Sequence, residues 1–213
     1  LLSMEEYIGS FDNWFGMGTD IRATNMLSSR GCPYQCIYCD KNATGSKWRG
    51  RTAKSIVDEM EHLNDVYKIN AVVFSDDEFD IDKRRVNQIC DEINDRGLDI
   101  VWGVNSRVNH ANEDMYTKMR KSGCRFIAYG IESGNQEMLD FMRKNVTLTQ
   151  IVNAVESAKN AKLYTIGYFM LGMLGEDRDQ MRQTINFAKS LDLDSGGFSK
   201  VVPIPGTLLY NLA

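Results

Sequence analysis

Strand-like and helix-like patterns alternate along nearly the whole chain. Six short apolar runs rich in β-branched and aromatic residues occupy positions 21–27, 71–74, 100–104, 126–131, 165–171 and 198–204, each of strand length. Between them apolar residues return at every third or fourth position, the spacing of one helix face. Ile56, Met60, Leu63 and Tyr67 form one such face, and Val86, Ile89, Cys90 and Ile93 the next; Met115 and Met119, then Ile151, Val155 and Ala158, then Met181, Ile185 and Ala188 continue the series. Strands that are apolar on both faces and separated by amphipathic helices imply a parallel sheet covered by helices, because a parallel crossover must leave and re-enter the same edge. A complete eight-unit barrel takes about 250 residues. Six units in 213 residues therefore predict an α/β fold of the partial (β/α)6 TIM-like barrel type with parallel strands, the alternative being an open doubly wound sheet. In either arrangement the chemistry gathers at the carboxyl ends of the strands.

Composition narrows the class further. At 43% hydrophobic and 25% charged residues, the chain has the apolar content of a globular domain and not of a disordered one. No apolar run approaches the roughly 20 residues of a membrane-spanning helix. The net charge of −4 gives no broad positive field, so a nonspecific grip on nucleic acid is not expected. Residues 1–7 lack the basic and apolar regions of a signal peptide. With five cysteines, an odd number, this points to a reducing compartment, the cytoplasm. The missing initial Met and the abrupt end suggest a piece of a longer chain. Residues 1–18, with Trp14, Gly16 and Gly18, read as a lead-in segment from an upstream region, and 19–213 as one core domain.

Three of the five cysteines, Cys32, Cys36 and Cys39, follow the first strand directly in a C-x3-C-x2-C spacing. Thiolates this close can converge on one soft metal centre. A structural zinc ion is the plain reading, but zinc takes four closed ligands. Cys90 lies on a helix's apolar stripe and Cys124 just before a strand, so both read as small buried hydrophobes. The two histidines, His62 and His110, offer no obvious fourth ligand, although the loop of His110 stands at a strand's carboxyl end. Three ligands suit a [4Fe–4S] cluster better, since one iron is left open to chelate a further molecule.

With Tyr38 before the third cysteine, this loop resembles the cluster motif of the radical S-adenosylmethionine (SAM) superfamily. The likeness continues through Ser29-Arg30-Gly31-Cys32-Pro33, Phe74-Ser75-Asp76-Asp77-Glu78-Phe79, Tyr129-Gly130-Ile131-Glu132-Ser133-Gly134, Phe169-Met170-Leu171-Gly172 and Pro203-Ile204-Pro205-Gly206-Thr207. Together these resemble the core of the subgroup whose members often carry a cobalamin-binding domain upstream. The resemblance implies that Cys32, Cys36 and Cys39 ligate a [4Fe–4S] cluster, and that the cluster reductively cleaves SAM to a 5′-deoxyadenosyl radical. It also implies an electron donor such as flavodoxin or ferredoxin, and most naturally a small-molecule substrate in a methyltransferase-like or C–C-bond or ring-forming enzyme. Cobalamin would come from a domain outside these residues, since no Asp-x-His-x-x-Gly signature occurs here. A methylthiotransferase-like enzyme acting on RNA or protein is the alternative, and a non-catalytic metal-binding scaffold a third.

The resemblance also assigns cofactor contacts. Tyr38 would meet the adenine. Where many relatives have Gly-Gly-Glu after the second strand, this chain has Asp76-Asp77-Glu78; Asp76 or Asp77 is the expected partner of the methionine ammonium, although helix capping by these acids, Asp80 or Asp82 is equally natural. Ser106 and Arg107 fall where relatives contact the ribose or carboxylate, and Arg107 is a natural carboxylate fork. Glu132 would accept from hydroxyls, Lys144 would face the methionine carboxylate, and the run through Met170 and Gly172 would lay backbone against the adenine. Solvated helix charge is the plain reading of Lys144, and a closely packed buried strand that of the last run.

Overall fold

The computed structural model describes residues 3–11 and 20–213; Trp14, Gly16 and Gly18 lie outside them. Strand β1 (Gly9–Phe11) pairs antiparallel with β2 (Ile21–Met26), so the described part of the lead-in adds an edge strand to the sheet. Next come a two-strand ladder, β3 (Ser29–Arg30) with β4 (Arg49–Gly50), and helix α1 (Ala53–Tyr67). The chain continues through β5 (Ala71–Phe74), α2 (Lys83–Asp95), β6 (Val101–Ser106), α3 (Glu113–Lys121), β7 (Cys124–Glu132), α4 (Gln136–Phe141) and α5 (Leu148–Asn160). It ends in β8 (Tyr164–Leu171), α6 (Arg178–Ser190), β9 (Ser195–Lys200) and α7 (Leu208–Leu212). The sheet order is β1-β2-β5-β6-β7-β8-β9, and every pairing after the first is parallel. Six parallel strands with their crossover helices curl into a half-barrel, as the alternating patterns predict.

Alternation along each strand divides the core. Val72, Phe74, Trp102, Val104, Ile127 and Tyr129 pack outward against the buried stripes of the helices, including Ile56, Met60, Val86, Ile89, Met115, Met119, Ile151 and Val155. Phe74, Phe79 and Trp102 meet ring to ring at centroid distances of 4.9 to 5.9 Å. A second, smaller cluster of Ile21, Ala23, Ala71, Phe126, Ala128 and Ile166 fills the other face. Half of its residues are alanine, and small side chains suit the curved inner wall of a half-barrel.

Two local expectations are corrected. The last strand lies three residues earlier than the apolar pattern indicates, because Pro203 and Pro205 have no N–H to give a ladder. Gly196 and Gly197, which carry no strand signal of their own, are held instead by pairing to Gly167 and Tyr168. Helix α4 is too short to show a helical period; Asn135 caps it by accepting from the Met138 N–H. On α6 the predicted stripe of Met181, Ile185 and Ala188 is only half-buried, and Thr184 is the residue that packs fully.

Candidate active site

The cysteine loop leaves the end of β2 and is fastened from the loop after β5. Ser28 donates its N–H and hydroxyl to Asp76 at 2.6 and 2.5 Å, and the Ser29 hydroxyl donates to the same carboxylate at 2.6 Å. Asp77 accepts from the Gly31 N–H at 3.0 Å. Gly31 itself has φ +88°, and a Cβ there would sit 2.3 Å from the Lys47 carbonyl oxygen, so the turn requires glycine. The Cys32 N–H then donates to the Gly45 carbonyl at 3.2 Å. At its far end the loop is pinned by Ile37, which is buried with Met138, Met142, Met173 and Leu209 and is tied by backbone bonds to Met142 and Leu209.

Cys32, Cys36 and Cys39 open together onto a cavity of about 350 Å³ at the carboxyl ends of the parallel strands. All five cysteines are free thiols. Burial pushes the Cys32 and Cys39 thiols up, an expense that coordination to a cation offsets. Arg107, at the end of β6, directs an N–H at the Cys36 sulfur at 3.5 Å and stacks over the Tyr34 ring at 3.8 Å. Its other nitrogens bond the Lys144 carbonyl and Asn109. The donor set fits a cluster of the three-cysteine type: three soft ligands line one cavity, and the Arg107 guanidinium faces the Cys36 sulfur. Cys90 and Cys124 lie buried in the outer core, where burial raises the Cys90 thiol to about 11 and Cys124 above its usual value. They are inert fillers, as their sequence positions indicate.

The same cavity is lined by a buried ion pair. Glu132 ends β7 at φ +73°, beside a register shift in its pairing with β8. A left-handed non-glycine residue at a strand end is held there by its surroundings. Its carboxylate meets the Lys144 ammonium at 3.0 Å, and Lys144 also reaches the Tyr38 hydroxyl at 3.4 Å. Lys144 is 4% exposed, so it is not a solvated surface charge. Gly130 makes room for the pair: a Cβ there would lie 2.6 Å from Glu132 Oε1 and 3.2 Å from Lys144 Nζ. Burial, and then the Glu132 charge, push the Tyr38 phenol well above its usual range, so it stays a neutral donor.

The structure separates the three consecutive acids. Asp76 spends both oxygens on Ser28 and Ser29, and Asp77 spends one on Gly31. Glu78 is 5% exposed, and its Oε2 has no hydrogen-bond partner among the described residues. Its neighbours are Arg107 at 3.9 Å and His110 at 3.8 Å. Burial raises the Glu78 carboxyl to about 8, Arg107 pulling it down and Asp80 pushing it up. Asp82 is the cap of α2, whereas Asp80 accepts from the Ser106 hydroxyl at 2.6 Å and lies 3.1 Å from His110 Nδ1. His110 Nε2 in turn meets the Tyr34 hydroxyl at 2.5 Å. Ser106, Arg107 and all three acids stand on the cavity wall, whereas Met170 and Gly172 do not; β8 contributes Tyr168 instead. The Gly172 N–H is occupied by the Glu176 carboxylate at 2.6 Å. Sequence reasoning missed the Tyr34–His110–Asp80 chain. The available signal was that one of only two histidines falls in a strand-end loop.

A parallel half-barrel that opens three clustered thiols, a free buried carboxylate and a glutamate–lysine pair onto one cavity defines an iron–sulfur enzyme core of the partial-barrel class. Similarity to known proteins narrows this: the chain belongs to the radical SAM superfamily, whose family model matches residues 26–188. That superfamily uses a [4Fe–4S] cluster and SAM. The chain is 38% identical over 189 residues to an uncharacterized methyltransferase of Pyrococcus horikoshii, covering 88% of this chain and 41% of that one. It is 28% identical over 198 residues to the anaerobic magnesium-protoporphyrin IX monomethyl ester cyclase of Cereibacter sphaeroides, covering 91% of this chain and 32% of that one. Among solved structures, the radical SAM methyltransferase TsrM of Kitasatospora setae, with cobalamin and a [4Fe–4S] cluster bound, superposes with a TM-score of 0.80 at 23% identity, over 87% of this chain and 35% of that one. The chain thus spans less than half the length of these relatives.

Proposed function

We propose that these residues form the radical-generating core of a cobalamin-associated enzyme of the methyltransferase-like or C–C-bond or ring-forming kind. The observation that carries this reading is the shared cavity, in which Cys32, Cys36 and Cys39 face the Glu132–Lys144 pair and the unsatisfied oxygen of Glu78. Similarity to a methyltransferase and a cyclase supports the reaction class. When bound, the cluster and SAM supply the one-electron cleavage that yields the 5′-deoxyadenosyl radical.

The protein's own residues hold and orient. Cys32, Cys36 and Cys39 are the cluster ligands, and the Arg107 N–H directed at the Cys36 sulfur steadies its negative charge. Lys144, paired with Glu132 at 3.0 Å, is the cation for the methionine carboxylate, and Tyr38 closes the adenine side. For the methionine ammonium, Glu78 is the better candidate than Asp76, whose oxygens are already used; the arriving cation would favour the ionised carboxylate and release the proton that burial retains in its absence. Asp77 has one oxygen to offer as a second acceptor. Arg107 acts through the cysteine loop and not as a carboxylate fork, because each of its three nitrogens already has a partner. Ser106 acts through Asp80. Met170 and Gly172 shape β8 and the turn behind it. A small-molecule substrate and any cobalamin would be brought by regions outside this chain, and an external protein would deliver the electron. The five free thiols support a reducing compartment such as the cytoplasm. Among the described residues no helix is long and apolar enough to cross a membrane.

The test is anaerobic reconstitution with iron and sulfide, followed by SAM. The expected results are about four irons per chain, set by the cluster type, a change in the electron paramagnetic resonance spectrum of the reduced cluster on adding SAM, and release of 5′-deoxyadenosine. A loaded, folded protein whose spectrum ignores SAM and which releases no 5′-deoxyadenosine would overturn the reading.

A further inference from the structure

The charge of this protein is unevenly placed. Its net charge is −4, yet residues 28–54 carry six cations, Arg30, Lys41, Lys47, Arg49, Arg51 and Lys54, against the single acid Asp40. The same segment holds the three cluster cysteines. Arg30 and Arg49 stand directly opposite each other in the β3–β4 ladder, and both are exposed. Like charges in that position oppose pairing, so the ladder carries them at a cost to its own stability. Neither meets a carboxylate among the described residues. Arg49 donates only to the carbonyls of Thr44 and Lys47, at 2.9 and 2.7 Å, and Arg30 and Lys47 have no side-chain hydrogen bond or ion pair at all among the described residues. Arg51 completes the group but is tied to Glu59 at 2.6 Å.

Arg30, Arg49 and Arg51 frame a surface depression of about 440 Å³ with Leu27, which is 41% exposed. An exposed leucine beside a cluster of arginines, a residue type enriched at protein interfaces, suits a protein docking site whose recognition is largely electrostatic. This depression shares no residue with the cavity onto which the cysteines open. It is nevertheless close to the cysteine loop: Arg30 is two residues from Cys32, and Arg49 grips the Thr44–Lys47 loop whose Gly45 carbonyl holds the Cys32 N–H. Trp48 offers no stacking platform for bases, since Arg85 covers its ring and its N–H bonds the Glu78 carbonyl.

We propose that the β3–β4 hairpin and the loop behind it are the docking surface for an acidic, low-potential electron-carrier protein. The proposal rests on the reading that the three cysteines hold a reducible cluster. One electron leaves the carrier's reduced prosthetic group and enters the cluster; the carrier is oxidised by one electron, and no bond or proton is exchanged. Complementary charge would steer the encounter and make it salt-dependent.

The experiment measures binding of a purified acidic flavodoxin to the cluster-loaded protein between 50 and 300 mM salt, roughly the span over which surface charges become screened. Wild type is compared with an Arg30→Gln/Arg49→Gln double variant and with Lys47→Glu. The expected result is salt-sensitive binding to wild type, weakened about tenfold or more with a flatter salt response in both variants. Reduction of the cluster by flavodoxin hydroquinone should slow in parallel, while in Lys47→Glu, which removes no side-chain contact among the described residues, reduction by photoexcited deazaflavin and the melting temperature stay at wild-type values. Equal affinity and equal salt response in wild type and variants would overturn the proposal. So would displacement of flavodoxin by a short RNA at lower concentration than by an acidic peptide, or by inorganic phosphate at micromolar concentration, since these mark a nucleic-acid or small-anion site. Failure of deazaflavin to reduce any cluster would instead strike at the enzyme reading, because flavodoxin binding is scored separately.

Discussion

Replacing Glu78 by Gln should alter how the protein's stability depends on pH, and the structure fixes the direction. The Glu78 carboxyl is buried at the mouth of the cysteine loop, with one oxygen unpartnered, and burial raises it from its ordinary 4.5 to about 8. Arg107, Lys144, Asp77, Asp80, His110, Cys32 and Tyr34 are charged or titratable groups facing it. Below 4.5 the folded and unfolded chains both hold this proton. Between 4.5 and about 8 the unfolded chain releases it while the folded chain keeps it, so stability falls as pH rises; above 8 the penalty is constant. A displacement of this size corresponds to on the order of 5 kcal/mol at full expression. Glutamine has nearly the same shape and no proton to lose. Urea unfolding of the cluster-free wild type and the Glu78→Gln variant, followed by circular dichroism from pH 4.5 to 9, should show the variant gaining on wild type by several kcal/mol across that window. Two parallel stability curves, offset by the same amount at every pH, would refute the reasoning, because they would mean that Glu78 is ionised in the native state at neutral pH.

The other expectations concern the walls of the cavity and the core behind it. Lys144→Met strands a buried Glu132 carboxylate, so it should cost about 3–5 kcal/mol and abolish the spectral response to SAM; adding Glu132→Gln should recover part of the stability but not the response. Gly31→Ala puts a Cβ against the Lys47 carbonyl at φ +88°, which should cost at least about 1–2 kcal/mol and lower the iron retained per chain by elemental analysis. Phe74→Ala, in the fully buried aromatic group with Phe79 and Trp102, should cost about 3–5 kcal/mol in chemical unfolding while iron content per folded chain stays unchanged.

The sequence made the fold legible wherever local pattern and tertiary position agree. The run at 71–74 coincides with β5, and the stripes of α1, α2, α3 and α5 are the ones that pack. It failed at β9, where two glycines are recruited by a neighbour and the more apolar residues beyond them are barred by prolines. The cysteine loop was legible because its three cysteines fall within eight residues of one another. The partition of work among Asp76, Asp77 and Glu78 was not, because it is decided by Ser28, Ser29 and Gly31, 46 to 48 residues away. For the same reason nothing local announces that Lys144 is buried: its partner Glu132 lies across a short helix, and Tyr38 is 106 residues distant. The Tyr34–His110–Asp80 chain joins three loops that meet only because parallel strands end together.

Most of the bonds that shape the cysteine loop use no thiol. Asp76 holds Ser28 and Ser29, Asp77 holds Gly31, Gly45 holds the Cys32 amide, and Ile37 is clamped between Met142 and Leu209. These bonds form with the barrel itself, so they carry part of the entropic cost of ordering the loop. Oxidative damage that strips a cluster would then leave a template instead of a loose coil. Recovery becomes a question of iron and sulfide supply and of keeping three thiols reduced, so one polypeptide can outlast many clusters.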